Sequence, residues 1–378
     1  MNIEWRANDA IFHYRMKLPK VNKLFLTSTI LLTVAGFFIF TSASLGLLAK
    51  EKGALKDIAF NQIFLGLFLG TIALIVISRI DYRVWRKYSL YIFLFSIALT
   101  LLVFVPSLGF EHGGARRWLF LGPISFQPSE FLKLGFIIYF ATWLSGIKSE
   151  ISRIGLGLIP FIILILTTSF LLIQPDTDTF LIICVTGLAM FIAAGCKWRD
   201  IIIILLIGII GFTFIAFSKP YIMQRISTFF NPSEDSLGAS YQIQQSLIAI
   251  GSGGFSGRGL GQSIQKFGFL PEPIGDSIFA VAAEEFGFLG SVTLIFLFVF
   301  FTIQGLRVAR EAPDLFGGLV TVGIVILIVS QSFFNIAAML GIVPLSGMPL
   351  LFVSHGGTAL FFTLASVGIV LNVSRHRK

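Results

Sequence analysis

The sequence predicts an all-α polytopic membrane protein with ten transmembrane helices and a long extracytoplasmic loop between helices 7 and 8. Three observations lead to that fold class. Of the 378 residues, 56% are hydrophobic, and the mean hydropathy is +0.90. The apolar residues gather into runs close to the ~20 needed to cross a bilayer core. The basic residues divide unequally between the two sets of loops that those runs define, as expected when Lys and Arg in short loops resist translocation.

In order, the predicted spans are Leu24 to Ala43, Ile58 to Ser78, Leu90 to Leu108, Ser129 to Gly146, Leu156 to Ile173, Thr179 to Gly195, Ile201 to Phe217, Ile278 to Leu306, Phe316 to Leu340 and Leu350 to Val373. An even number places both termini on one side. With the amino terminus inside, eighteen of the 28 basic residues fall on that side and nine on the other, although the other side holds far more loop residues. Both termini, residues 1–23 and 374–378, are therefore expected in the cytoplasm. Glu4 and Asp9, with no small-residue cleavage site after the first run, predict a retained signal anchor. The net charge of +9 follows from this asymmetry, and no nucleic-acid partner is expected. Cys184 and Cys196, in or beside the sixth span, read as small buried hydrophobes. On that reading no disulfide or metal framework is expected from them; the four histidines make no metal-ligand spacing, and no haem is expected.

Between the spans only two outer segments are long, residues 109–128 and 218–275, and the whole chain reads as one transmembrane domain. Within the second, "YQIQQSLIAI" (Tyr241 to Ile250) puts Tyr241, Gln245 and Ile248 on one helical face and predicts an amphipathic helix at the interface or re-entering the membrane. The six glycines from Gly251 to Gly261 suit tight turns and close backbone approach. Their spacing matches no phosphate-binding motif, and no nucleotide is expected.

Four stretches carry polar chemistry. In "GGARRWLFLGPISFQPSEFLK", Glu130 and Lys133 lie three apart on a helix opened by Pro128. They read either as an ion pair at the helix start, with Trp118 as interfacial anchor, or as part of a cationic cluster of Arg116, Arg117 and Lys133 that receives a diphosphate. In "QPDTD", Asp176 or Asp178 caps the sixth span, or the two help hold a divalent cation such as Mg2+ or Mn2+. In the third stretch, Arg225, Arg258 and Lys266 bring positive charge to the outer face while Glu272 and Asp276 bracket the eighth span. Asp276 is either its N-cap or a general base at a water-exposed helix mouth, and Glu284 with Glu285 read as buried pairing groups. The fourth stretch, Asn335 to Gly357, makes a tight outer connection, with Asn335 placed to hydrogen-bond between helices.

Together these motifs resemble the SEDS family (shape, elongation, division and sporulation: FtsW, RodA and SpoVE-like proteins). The residues that carry the resemblance are "GARRW" with "FQPSE" and Lys133, "QPD" (174–176), "YQ" with "QS", "GSGG", "GLG" with "QK", "LPE" and "D" before "IFAV" and "EE" (241–285), and "PL" with "FVS" and "GG" (349–357). "GRGLGQSIQK" is closer to the FtsW branch than to the RodA branch. The chain departs from the family at Ile274 and Gly275, at Thr177 and Asp178, and at Leu351 and His355.

The resemblance implies a peptidoglycan glycosyltransferase of the bacterial plasma membrane that polymerises lipid II on the outer face and works with a class B penicillin-binding protein transpeptidase. It implies Asp276 as the catalytic acid. Arg116, Arg117, Trp118, Glu130, Lys133, Arg225, Gln245, Lys266 and Glu272 are then candidates for binding substrate, with Asp176 and Asp178 for a metal. A flippase that moves lipid II across the membrane is the competing expectation. Against it, the polar motifs concentrate on one side, whereas alternating access needs them near the midplane.

Overall fold

The computed structural model describes residues 21–48, 58–105, 108–112, 115–121, 124–147, 158–174, 176–230 and 239–376. The expectations on Glu4, Asp9, Gly113, Gly114 and Pro175 lie outside them.

A polytopic helical membrane protein is what the apolar runs become, because a backbone in lipid must satisfy its own hydrogen bonds. The helices are α1 (Lys23–Leu48), α2 (Ile58–Ile77), α3 (Tyr82–Lys87), α4 (Ser89–Phe104, its last turn 3-10), α5 (Pro128–Gly146), α6 (Leu158–Thr168), α7 (Thr177–Ala193), α8 (Trp198–Ser218), α9 (Pro220–Phe230), α10 (Ala239–Ser252), α11 (Ile278–Arg310), α12 (Leu315–Met339) and α13 (Gly357–Arg375). Every predicted span overlaps one of them. Six are long and apolar enough to cross a membrane by themselves: α1, α2, α8, α11, α12 and α13.

Local chemistry sets several ends. Pro128 opens α5, where its missing N–H costs nothing. Asp81, Asp176 and Asp314 cap α3, α7 and α12 through their carboxylates. The main packing pairs are α1 with α11, α11 with α12, α12 with α7, α4 with α5, and α13 with α2. α13 is buried on nearly every side and α8 on few, so the core runs along α12 and α13.

Three features depart from the sequence reading. The first outer segment is not plain loop: β1 (Gly109–His112), β2 (Ala115–Leu121) and β3 (Ile124–Phe126) form an antiparallel sheet in the order β1-β2-β3. The tenth span begins as helix at Gly357, because residues 344–356 run as a non-helical strap over the mouth of the bundle. Finally, α11 is broken at Gly287 (φ 64°, ψ −161°), and the glycine-rich loop after α10 satisfies the freed backbone groups. Arg258 and Gly259 donate their N–H groups to the carbonyls of Glu284 and Glu285 (3.0 and 2.9 Å), while Phe288 and Leu289 donate to Gly254 and Phe255 (2.9 and 3.2 Å). A Cβ at Gly257 or Gly287 would collide with the other strand of this seam.

Candidate active site

Asp276 lies in the turn that leads into α11. It does not cap that helix: Ser277 holds the N-cap position, and Gln242 of α10 donates Nε2 to the Ser277 hydroxyl (2.9 Å). The backbone of 274–276 is fixed from two sides. Asn335 Nδ2 on α12 donates to the Asp276 carbonyl and to the Met348 carbonyl, both at 2.8 Å. From the strap, Ser354 Oγ donates to the Gly275 carbonyl (2.7 Å) and His355 N–H donates to the Ile274 carbonyl (2.7 Å). One helical turn before Asn335, Gln331 donates Nε2 to the Pro349 carbonyl (3.2 Å) and accepts from Lys133 Nζ (2.8 Å).

The carboxylate of Asp276 is partly exposed and borders Gly347, 3.8 Å from where a Cβ there would stand. It forms no ion pair among the described residues. Burial pushes its pKa up to about 7, and the charges of Glu272 and Asp178 act in the same direction, against Arg225 and Arg117. An acid poised near neutrality can take a proton from a hydroxyl and hold it.

On the other side of Gly347 is a corner of paired charges. The Gly347 N–H donates to Asp178 Oδ2 (3.2 Å), and Arg225 Nη1 on α9 contacts both oxygens of the same carboxylate (3.0 and 3.2 Å). Arg117 Nη1 lies 3.8 Å from Asp176 Oδ1, and its Nε donates to the Gln174 carbonyl (3.4 Å). Arg117 and Arg225 thus meet over the amino end of α7, next to Asp276.

The remaining candidates divide. Successive strand residues point to opposite faces, so Arg116 is exposed on β2 while Arg117 turns inward, and the expected cluster of Arg116, Arg117 and Lys133 is split. Lys133 is buried against Glu130 (2.8 Å) and Gln331, the ion-pair alternative. Trp118 is partly buried on β2, opposite Phe110. Glu272 is exposed at a left-handed turn (φ 45°), and its carbonyl accepts the Gly275 and Ser277 N–H groups. Gln245 lies on α10 one turn beyond Gln242, the amide that reaches the Asp276 turn.

Lys266 is not on the outer surface at all. Its side chain is fully buried, with Nζ 2.7 Å from Glu285 Oε1 and 3.2 Å from Ser42 Oγ on α1. Beside it, Glu284 accepts from the N–H groups of Ile264 and Gln265 (3.0 and 3.3 Å) and from the Ser263 hydroxyl, and meets Arg258 at 3.4 Å. The reason is electrostatic: a carboxylate pair at this depth is costly unless cations and amides converge on it.

The acids do not fit a divalent cation. Each of Asp176 and Asp178 already faces an arginine, Asp178 uses both oxygens on Arg225 and Gly347, and among the described residues no three His, Cys, Asp or Glu side chains converge. A cavity lined by Ala193, Leu306, Arg310, Pro313 and Leu319 among others sits at the far ends of α7, α11 and α12 and shares no residue with this site.

Sequence reasoning quoted Gln242 and Ser354 within "YQ" and "FVS" without giving them a role, and missed Gln331 and Tyr221. Gln331 was the most findable, standing one turn from Asn335 in an otherwise apolar helix.

Comparison with known proteins identifies the architecture. Stage V sporulation protein E of Bacillus subtilis is 37% identical over 94% of this chain and 97% of its own. A probable peptidoglycan glycosyltransferase FtsW of Geobacter sp. is 36% identical over 93% and 96%. Among solved structures, a chain of a peptidoglycan synthase complex that coordinates polymerization and crosslinking superposes with a TM-score of 0.74 at 26% identity, covering 94% of this chain and 98% of that one. Thermus thermophilus RodA, a rod shape determining protein, does so with a TM-score of 0.65 at 26% identity, covering 92% and 96%. The family model of the FtsW, RodA and SpoVE cell cycle proteins matches residues 22–378, and the chain belongs to that family.

Proposed function

We propose that this protein is a peptidoglycan glycosyltransferase that polymerises lipid II at the outer face of the plasma membrane, with Asp276 as general base. The observation that carries the reading is an imbalance of charge. Glu130, Asp176, Asp178, Glu284 and Glu285 each face a cation within 4 Å, whereas Asp276, the acid with a raised pKa, faces none and is reachable. Acids whose only task is structural are paired, and an unpaired one with a perturbed pKa in a mouth is a functional candidate.

In the reaction, the C4 hydroxyl of one lipid-linked disaccharide attacks the anomeric carbon of another. The new glycosidic bond forms as the bond to undecaprenyl diphosphate breaks. Asp276 takes the hydroxyl proton, a contribution of about 10²–10⁴ in rate. Arg117 and Arg225, fixed by Asp176 and Asp178, stabilise the departing diphosphate. Lys133 and Gln331 act at one remove, holding the strap against which Asp276 is set. The ten apolar helical segments cross the membrane with both termini in the cytoplasm, and a class B penicillin-binding protein supplies the transpeptidase.

The test is to incubate purified protein with labelled lipid II, with and without that partner, and separate the products by size. Glycan strands support the polymerase. Transbilayer movement of lipid II in vesicles without strands would replace it with the flippase.

A further inference from the structure

Three polar atoms in the corner beside Asp276 are buried and make no well-formed hydrogen bond: the Tyr221 hydroxyl, the Ser346 hydroxyl and Oδ2 of Asp176. Buried polar groups are nearly always paired, and an exception asks what is missing, a water, an ion or a ligand. Tyr221 defines the ligand best. It stands four residues before Arg225 on α9, so the two share a helix face. The charges of Arg225, Arg117 and Asp178 all act on its phenol, and the Thr177 side chain at the start of α7 stands where it can donate to the phenol oxygen, which leaves the phenol's own proton without an acceptor. Burial raises its pKa, so at neutral pH the phenol keeps its proton and can donate it. Its charged neighbours offer it little to donate to. The two guanidinium groups are donors themselves, and both Asp178 oxygens are engaged by Arg225 and by the Gly347 N–H. Asp176 Oδ2 is left open there as an acceptor, and a donor set beside two guanidinium groups is matched by a ligand rich in acceptors.

We propose that Tyr221 anchors the diphosphate of the polyprenyl-linked donor, its hydroxyl donating to a phosphate oxygen held between Arg117 and Arg225. The assignment rests on the polymerase reading and deepens it. The leaving group then sits on the α9 side of Gly347, with Asp276 on the other side, and an uncharged donor adds orientation where the arginines supply charge.

Tyr221→Phe removes one oxygen and keeps the ring. Titrated with undecaprenyl diphosphate in detergent, the variant binds about 10-fold to 100-fold more weakly than wild type, as one lost hydrogen bond to a charged group implies. Undecaprenol, which lacks phosphate, binds both proteins alike. The thermal midpoint stays level or rises, because the proton removed with the hydroxyl had no acceptor. Equal diphosphate affinity in the two proteins overturns the proposal. So does an equal loss of diphosphate and prenol binding, or a lowered midpoint, either of which assigns the hydroxyl to the fold. Asp276→Asn titrated in parallel, with a negative charge removed beside the site, binds undecaprenyl diphosphate at least as tightly as wild type does. If that variant also polymerised lipid II normally, the general-base reading would fall while the Tyr221 comparison kept its meaning.

Discussion

In an Asp276→Asn protein the side chain keeps its size but loses its charge and its capacity to take a proton, and the two losses have opposite effects. Polymerisation falls by about 10²–10⁴, the usual contribution of a positioned base. Stability changes the other way. The carboxyl titrates near 3.8 in an unfolded chain and at about 7 in the fold. Below pH ~4 the group is protonated in both states and contributes nothing. Between ~4 and ~7 the folded protein keeps a proton that the unfolded chain releases, so rising pH progressively disfavours the fold. Above ~7 the cost is complete, about 4 kcal/mol at 1.36 per pKa unit, which partial solvent access reduces to roughly 2. Asn carries none of this cost. The variant is therefore expected to melt higher than wild type at pH 8 and close to it at pH 4.5, while making almost no glycan from labelled lipid II. A wild-type rate at pH 7.5 refutes the base. A midpoint difference that does not grow with pH refutes the desolvation argument.

The same raised pKa predicts that kcat/KM climbs through an inflexion near pH 7 as Asp276 loses its proton, and that Glu272→Gln moves the inflexion to lower pH, because the Glu272 charge helps to hold it up; an inflexion below pH 5 in wild type contradicts both. Lys266→Met leaves Glu285 charged and buried without its cation and costs about 3–5 kcal/mol, whereas Lys266→Met with Glu285→Gln recovers most of it; chemical unfolding of the two proteins decides. Gly287→Ala places a Cβ in a backbone region open essentially to glycine alone and against the Gly257 backbone, so the protein is expected to lose its monodisperse peak on size exclusion.

What could be read from the sequence follows from where each element gets its stability. A spanning helix is specified by its own apolar run, which is why each of the ten runs overlaps a helix and six of those helices are long and apolar enough to cross a membrane. The break in α11 is different. "EEFGFLG" has no proline and reads as uninterrupted helix, and the conformation of Gly287 is stabilised by a loop that begins 34 residues upstream, at Gly253. The strap over 344–356 has the same character: its prolines predict a turn, but its path is set by Asn335, Gln331 and the Asp276 turn, contacts that exist only once α11 and α12 have packed. The three short strands pair with one another and escaped a reading built on 20-residue runs.

At the site, the residue types were legible and their pairing was not. The sequence offers Asp276, Glu284 and Glu285 within ten positions and Arg225, Arg258 and Lys266 nearby, and nothing in their spacing tells which acid each cation neutralises. The fold decides by depth. Glu284 and Glu285 are carried to the break in α11, where both side chains are buried and an unpaired carboxylate is costly, so Lys266 and Arg258 are drawn to them. Asp178, at the amino end of α7, takes Arg225. Asp276 is left at the mouth beside exposed Glu272, with its carbonyl fixed by Asn335 and its carboxylate in no ion pair among the described residues. Had Lys266 reached Asp276 instead, the ion pair would have pulled that pKa down and left a weak base. The burial of Lys266 against Glu285 is thus a condition for the chemistry as well as for the fold, because it withholds the cation that would otherwise quench the base.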